Sequence, residues 1–158
     1  MALFDRYIAV DWSASNRPTR GKDSIWIADS HAPTLNIPTR HAAMAHLRTA
    51  MVQAMAHSQR ILIGFDFPFG YPRGTAIALA GQKRWDALWA MLADLVEDDQ
   101  HNRSNRFEVA AALNRCLPVD SRLFWGHPQN RTWEGLTPTK PRPATPTLPE
   151  RRLVETIA

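Results

Sequence analysis

The sequence predicts an α/β fold in which a mixed β-sheet is flanked by helices. Two short apolar runs, at residues 6–13 and 61–67, have the length and composition of buried strands. Between them, residues 39–57 carry apolar side chains at helical spacing, and a strand, a helix and a second strand in this order make a parallel crossover. A hydrophobic fraction of 44% in 158 residues fits one domain with a core of ordinary size.

Two further strands complete the predicted sheet. Residues 24–28 alternate in the manner of a strand after a polar loop that contains Pro18 and Gly21. A third, weaker strand is expected at residues 34–37, which have proline on both sides. The expected strand order is 3-2-1-4. The run at 61–67 is apolar at every position except Asp66, which predicts a central strand covered on both faces.

Three helices are predicted, over residues 39–57, 81–97 and 104–117. Thr39 is the expected N-cap of the first helix, whose core face is predicted at Met44, Leu47, Met51 and Met55. Residues 1–127 therefore form the expected core. Residues 128–158 are expected to be an irregular, proline-rich tail that ends in the start of a helix, because six of the twelve prolines lie between positions 128 and 149. This tail could pack on a second copy of the chain and make a homo-oligomer.

Composition narrows the functional classes. The single cysteine, Cys116, excludes an intramolecular disulfide and argues against a cysteine-based zinc site. The chain has no apolar run of membrane-spanning length and no signal-peptide pattern at its N-terminus, so a cytoplasmic protein without a membrane partner is expected. The net charge of +4 comes mainly from arginine, which binds phosphate and stacks on bases, so a nucleic-acid partner is permitted. A genome rich in arginine codons would give the same composition.

An aspartate follows the aliphatic residues of each of the two main apolar runs, Asp11 in the first and Asp66 in the second. Burying an ionised carboxylate is costly unless a cation or hydrogen bonds compensate it. Neighbouring strands lie about 4.8 Å apart, so two carboxylates at matching heights can bridge one divalent ion. Ligation by oxygen alone suits Mg²⁺ or Mn²⁺, which can activate water for phosphodiester cleavage. The alternative is that each aspartate accepts N–H groups from its own loop.

Two other clusters are candidates for substrate binding. Arg17, Arg20 and Lys22 lie in the loop after the first strand and can steer a phosphate backbone, or can simply form a solvated hairpin tip. In the segment 124–133, two tryptophans flank His127 and Arg131. This segment can stack on a base and grip phosphate, with His127 as a general acid or base, or it can be a loop whose tryptophans pack on the domain.

The sequence Asp11-Trp-Ser13 after a first strand, together with Gly64-Phe-Asp66-Phe-Pro68-Phe-Gly70, resembles the ribonuclease-H-like superfamily. Within it, the resemblance is to a poorly characterised family of predicted nucleases, and it covers about half of the chain, residues 5–75. It implies a ribonuclease-H-like fold and a metal-dependent nuclease or phosphodiesterase acting on nucleic acid. Asp11 and Asp66 would be its catalytic metal ligands. Ser13 matches a small polar position that could hydrogen-bond a phosphate or a metal-bound water.

The chain also departs from that superfamily. Residues 40–60 contain no Asp or Glu, whereas many ribonucleases H carry a glutamate on the first helix. A further acid usually comes from a late helix, for which the sequence offers Glu97, Asp98, Asp99, Glu108, Glu150 and Glu155. The alternative function is therefore a non-catalytic ribonuclease-H-like module that binds nucleic acid or a protein. An actin-like phosphotransferase half-domain is a third hypothesis, but residues 14–16 do not supply the glycine-rich phosphate loop that it needs.

Overall fold

The structure is a computed structural model that describes residues 2–141 and 148–157. The chain divides into two compact units. The first comprises Met1–Pro68 and Asp98–Arg103, and the second comprises Phe69–Glu97 and Ser104–Ala158. The candidate carboxylates belong to the first unit.

A four-stranded sheet forms the centre of the first unit, in the order β3-β2-β1-β4. Its strands are β1 (Arg6–Asp11), β2 (Ile25–Asp29), β3 (Ala32–Ile37) and β4 (Ile61–Phe65). Strand β1 is antiparallel to β2 and parallel to β4. The predicted α/β class and the predicted strand order are both confirmed. Strand β3 contains Pro33, which is tolerated because this strand lies at an edge of the sheet.

Helix α1 (Arg40–Ala56) covers one face of this sheet. The Thr39 hydroxyl oxygen accepts the N–H of Ala42 at 3.2 Å, so the predicted N-cap is confirmed. The predicted methionine face is wrong in part, because Met51 and Met55 are exposed. Small side chains and one leucine form the buried stripe instead, at Ala43, Leu47, Ala50 and Ala54. These side chains leave room for the helix to pack against Ile8, Val10, Ile25 and Ile27 of the sheet.

The opposite face of the sheet is open within the part of the chain that the structure describes. Tyr7, Trp26 and Leu62 lie on it with exposed fractions of 42%, 40% and 44%. Strand β4 is an edge strand with alternating burial, so the prediction of a central strand covered on both faces is wrong. A run of five apolar residues occurs in edge strands as well as in central ones. In β4 only Ile61, Ile63 and Phe65 pack against the core, and the residues between them are exposed.

A half-buried ion pair fixes the loops at one end of this sheet. The Arg40 guanidinium binds Asp98 through Nε at 2.5 Å and Nη2 at 2.6 Å. Its other N–H groups donate to three backbone carbonyls, those of Ser13, Ser15 and Asn102. All five guanidinium hydrogens therefore have acceptors, which is what compensates the burial of a charge. The Asn102 side chain also accepts the Arg40 backbone N–H at 2.8 Å.

The second unit is mainly helical. It contains α2 (Thr75–Ala80), α3 (Trp85–Leu95), α4 (Arg106–Arg115), a 3₁₀ turn at Val119–Ser121 and the short α5 (Val154–Ile157). Helices α3 and α4 lie inside the predicted ranges 81–97 and 104–117, whereas α2 was not predicted. The buried core of the second unit consists of Leu88, Leu92 and Leu113. Trp85, the first residue of α3, is largely exposed.

Buried Asn114 ties the segment after α4 to that helix. Its side-chain amide donates to the carbonyls of Phe124 at 2.8 Å and Gly135 at 2.9 Å, and its oxygen accepts the N–H groups of Leu123 and Phe124. Leu136, which follows Gly135 in the sequence, is also buried. Residues 128–136 contain no helix or strand, and these contacts hold the end of that segment within the second unit. The predicted start of a helix near the end of the chain corresponds to α5, whereas positions 142–147 of the predicted tail lie outside the described residues.

Replacing Arg40 tests how much the ion pair stabilises the fold. We expect Arg40→Met to lower the free energy of unfolding by about 3 kcal/mol, because it leaves Asp98 and three carbonyls without their donor while Asp98 keeps some contact with water. The matched control is Arg103→Met, which breaks the more exposed Arg103–Asp99 pair of the same loop and should cost much less, because water screens that pair. Urea denaturation measures both. Equal losses would contradict a special role for Arg40.

Candidate metal-binding site

Asp11 and Asp66 lie side by side at the carboxyl ends of two parallel strands. Val10 of β1 pairs with Phe65 of β4, and the Asp66 N–H donates to the Val10 carbonyl at 3.2 Å. Both aspartates are exposed and continue the alternation of exposed positions along their strands. Their side chains therefore leave the sheet on its open face, at matching heights on neighbouring strands.

The two carboxylates differ in how the protein holds them. Oδ1 of Asp66 accepts the backbone N–H of Trp12 at 2.9 Å, so Asp66 is tied to the end of the neighbouring strand. Within the described residues, the Asp11 carboxylate has neither a hydrogen bond nor an ion pair. The alternative interpretation, that each aspartate caps its own loop, does not describe this geometry. One carboxylate is positioned and the other stays available.

Aromatic packing fixes the backbone around both aspartates. The Trp12 ring meets the rings of Phe65 and Phe67 edge-on, with centroids 5.9 Å away in each case. The centroids of Phe65 and Phe67 are 4.9 Å apart. Each aspartate is therefore adjacent in sequence to half-buried aromatic residues that pack against one another. This cluster restricts movement of the two strand ends that carry the aspartates.

In the part of the chain that the structure describes, no third acid joins the pair. Among residues 2–141 and 148–157, no group of three or more His, Cys, Asp or Glu side chains could hold a metal ion. Most of the acids considered as additional ligands have cationic partners elsewhere: Asp98 with Arg40, Asp99 with Arg103, Glu108 with Arg131, Glu150 with Lys140 and Glu155 with Arg152. Ligation by the described residues would therefore come from two carboxylates, and other ligands would have to be water or substrate oxygens.

The loop after β1 is well ordered by its own hydrogen bonds. Ser13 is buried, and its hydroxyl donates to the Asp23 carbonyl at 2.7 Å and accepts the Ser15 N–H at 3.2 Å. Ser13 thus holds the loop, and a phosphate contact would have to compete with these bonds. Arg20 donates to the Asn36 carbonyl at 2.6 Å. Arg17 and Lys22 are exposed.

Arg17 and Lys22 are also the two predicted phosphate contacts of this loop whose charged groups remain available. Within the part of the chain that the structure describes, neither side chain makes an ion pair or a hydrogen bond. Both cations belong to the same compact unit as Asp11 and Asp66. They are the basic residues of the loop that can attract a polyanion to this unit.

His127 and Arg131 belong to the second unit, where they form a cluster around Trp133. His127 is buried and its Nδ1 lies 2.8 Å from the Pro128 carbonyl. The Arg131 guanidinium stands over the Trp133 ring at 4.7 Å. The indole N–H of Trp133 donates to Glu108 at 3.0 Å, and this hydrogen bond holds the pKa of Glu108 below its usual range. These internal contacts favour the packing interpretation of the segment over substrate binding.

Sequence reasoning did not single out Arg40 or Trp12, although both shape the site. Arg40 carries the loop that follows Asp11, and Trp12 supplies the N–H that positions Asp66. A signal for Arg40 existed, because a basic residue at the first position of a helix opposes the helix dipole and needs an acidic partner. The sequence does not identify that partner, which lies 58 positions away.

Comparison with known proteins finds no match for this chain, among family models, curated proteins or solved structures. Across the described residues, no helix is both long enough and apolar enough to span a membrane. The geometry of the residues is thus the basis for the functional conclusion.

The stability of two variants separates a structural from a functional role of the pair. Asp11→Asn should leave the free energy of unfolding unchanged or raise it by up to about 1 kcal/mol, because it removes repulsion from Asp66 and breaks no bond. Asp66→Ala should lower it by about 1 kcal/mol, because the Trp12 N–H loses its acceptor. Urea denaturation in the presence of EDTA measures both. A large loss in Asp11→Asn would show that Asp11 serves the fold.

Proposed function

We propose that this chain is a metal-dependent nuclease or related phosphodiesterase of ribonuclease-H-like type, with Asp11 and Asp66 as its ligands for Mg²⁺ or Mn²⁺. The observation that carries this proposal is the placement of two exposed carboxylates at the adjoining carboxyl ends of β1 and β4. Ligands of open α/β sheets bind outside the carboxyl ends of the strands. The mixed sheet in the order 3-2-1-4 is compatible with the ribonuclease-H-like fold that the sequence resembles.

The donor set fits a magnesium-type ion. Asp11 offers a carboxylate without a partner among the described residues, and Asp66 has an oxygen left after it accepts the Trp12 N–H. Mg²⁺ commonly binds through one or two carboxylates and completes its shell with water and substrate phosphates. When bound, such an ion would activate water and stabilise the leaving oxygen of a phosphodiester. Affinity for the ion alone should be weak, and it should increase when nucleic acid supplies phosphate oxygens.

The chain's own residues supply the other requirements of the reaction. Trp12, through its N–H and its ring, holds Asp66 in place, so little reorganisation is needed on binding. Arg40 fixes the loop of residues 13–15 through the Ser13 and Ser15 carbonyls. Arg17 and Lys22 attract the phosphate backbone by charge, an effect that salt would screen.

A second function is favoured by one specific observation. The described residues provide two acids at the site and no third, which is fewer than nucleases of this superfamily usually carry. A ribonuclease-H-like module that binds nucleic acid or a protein without cleaving it would need no further acid. Such a module would keep the basic loop and would tolerate the loss of Asp11.

Cleavage assays distinguish the two functions. Labelled single-stranded and double-stranded RNA and DNA are incubated with the protein in Mn²⁺, Mg²⁺ or EDTA. We expect cleavage only with metal, and a loss of roughly 100-fold or more in Asp11→Asn, because a lost ligand removes several kcal/mol of transition-state stabilisation.

The matched control is Asp94→Asn, which makes the same charge change at an exposed position on α3 and should cleave at the wild-type rate. Equal activity in wild type and Asp11→Asn would exclude Asp11 as a ligand. Metal-independent retention of nucleic acid without cleavage would favour the binding module.

A further inference from the structure

The second unit contains a cavity of about 510 Å³, a volume within the usual range of small-molecule sites. The loop at residues 70–74, the start of α2 and the start of α3 line it. We infer that this cavity binds a nucleoside monophosphate, with the base among its aromatic side chains and the phosphate at its cationic ones. This site goes beyond the proposed metal site and does not depend on it, because all of its lining residues belong to the second unit.

Three aromatic side chains line the cavity and suit a flat ligand. Trp85 and Trp89 are four residues apart on α3, so they share a face of that helix. The Tyr71 ring lies 6.0 Å from the Trp89 ring, which is only partly exposed. Trp85 by contrast has 72% of its surface exposed. An exposed tryptophan at a cavity leaves an aromatic face on which a base can stack.

Two cations determine the sign of the ligand's charge. Arg73 and Lys83 line the cavity, are exposed, and have no carboxylate partner among the described residues. Neighbouring Arg84 differs, because it pairs with Asp86. A cationic ligand, which an aromatic cage could otherwise attract, would be repelled by Arg73 and Lys83. Bare phosphate would use the cations but not the aromatic walls, so an aromatic anion fits best.

A buried hydroxyl without a partner also points to a ligand. Thr75 lines the cavity and has no exposed surface, and its Oγ1 makes no hydrogen bond with any residue that the structure describes. An unsatisfied buried hydroxyl destabilises the fold, so its presence calls for an explanation. Because Oγ1 itself has no accessible surface, a polar group of the ligand would satisfy it once the Thr75 side chain turns toward the cavity. Burial raises the pKa of the Tyr71 phenol, which therefore stays neutral and can donate a hydrogen bond to an anion.

Calorimetric titration in EDTA tests the site independently of any metal-dependent activity. The probes are adenosine 5′-monophosphate, adenosine and inorganic phosphate. We expect saturable binding of the nucleotide and at least about tenfold weaker binding of the other two, since each of them lacks one of the two recognised groups. No saturable binding of the nucleotide, or equal affinity for adenosine or for phosphate, would overturn the proposal. Failure of nuclease activity would leave these results unchanged.

Variants locate the binding in this cavity. Trp85→Ala and Lys83→Ala should each weaken nucleotide binding about tenfold, as loss of a stacking or charged contact does. Trp125→Ala, at another exposed tryptophan of the same unit, and Arg84→Ala should bind like wild type. Thr75→Val should raise the melting temperature of the free protein and weaken nucleotide binding, a combination that a purely structural role would not produce. Unchanged nucleotide affinity in Trp85→Ala would place the binding elsewhere and overturn the assignment.

Discussion

The first compact unit depends on the arginine at the start of its long helix. Arg40 binds Asp98 through two nitrogens and uses its remaining hydrogens on three backbone carbonyls. In doing so it joins the loop that leaves β1 to residues 98–103, a segment far away in sequence. Because Asp11 is the last residue of β1, the geometry of that loop also determines what lies next to the candidate site. The Arg40 guanidinium thus connects the core of this unit to the loop that follows Asp11.

The charges of this unit fall into two groups. Arg40 with Asp98 and Arg6 with Asp29 are compensated, and in the second pair three hydrogen bonds to one carboxylate hold the pKa of Asp29 below its usual range. The Asp11–Asp66 pair is the opposite case. These two carboxylates leave neighbouring strand ends on the same face of the sheet, and neither has a cationic partner among the described residues. This contrast is why the pair indicates a function and the ion pairs indicate a fold.

Local patterns in the sequence were sufficient for most of the architecture. Apolar runs and helical spacing predicted four strands, their order and three of the helices, and Thr39 was correctly predicted as a cap. The errors have physical causes. The methionines at positions 51 and 55 have the right spacing for a core, but the alanines of α1 allow closer contact with the sheet and exclude them.

The candidate site was less accessible to sequence reasoning. The two aspartates could be located because each ends a strand, and parallel pairing brings those ends together. The sequence does not show, however, which neighbouring side chains already have a partner. Asp98 already forms an ion pair with Arg40, and the Ser13 hydroxyl already donates to the Asp23 carbonyl. The sequence does not show the cavity beside α3, because only tertiary packing brings Tyr71, Thr75 and Trp85 to its lining.

The proposed function depends on the binding of a divalent ion by Asp11 and Asp66. Its most direct measurement is the paramagnetic broadening that Mn²⁺ causes in the backbone amide signals of the isotope-labelled protein. We expect the signals of residues 11–13 and 65–67 to broaden first, and we expect Asp11→Asn to abolish this selectivity. Broadening that begins at the acidic residues 97–99, or that is the same in wild type and variant, would contradict it.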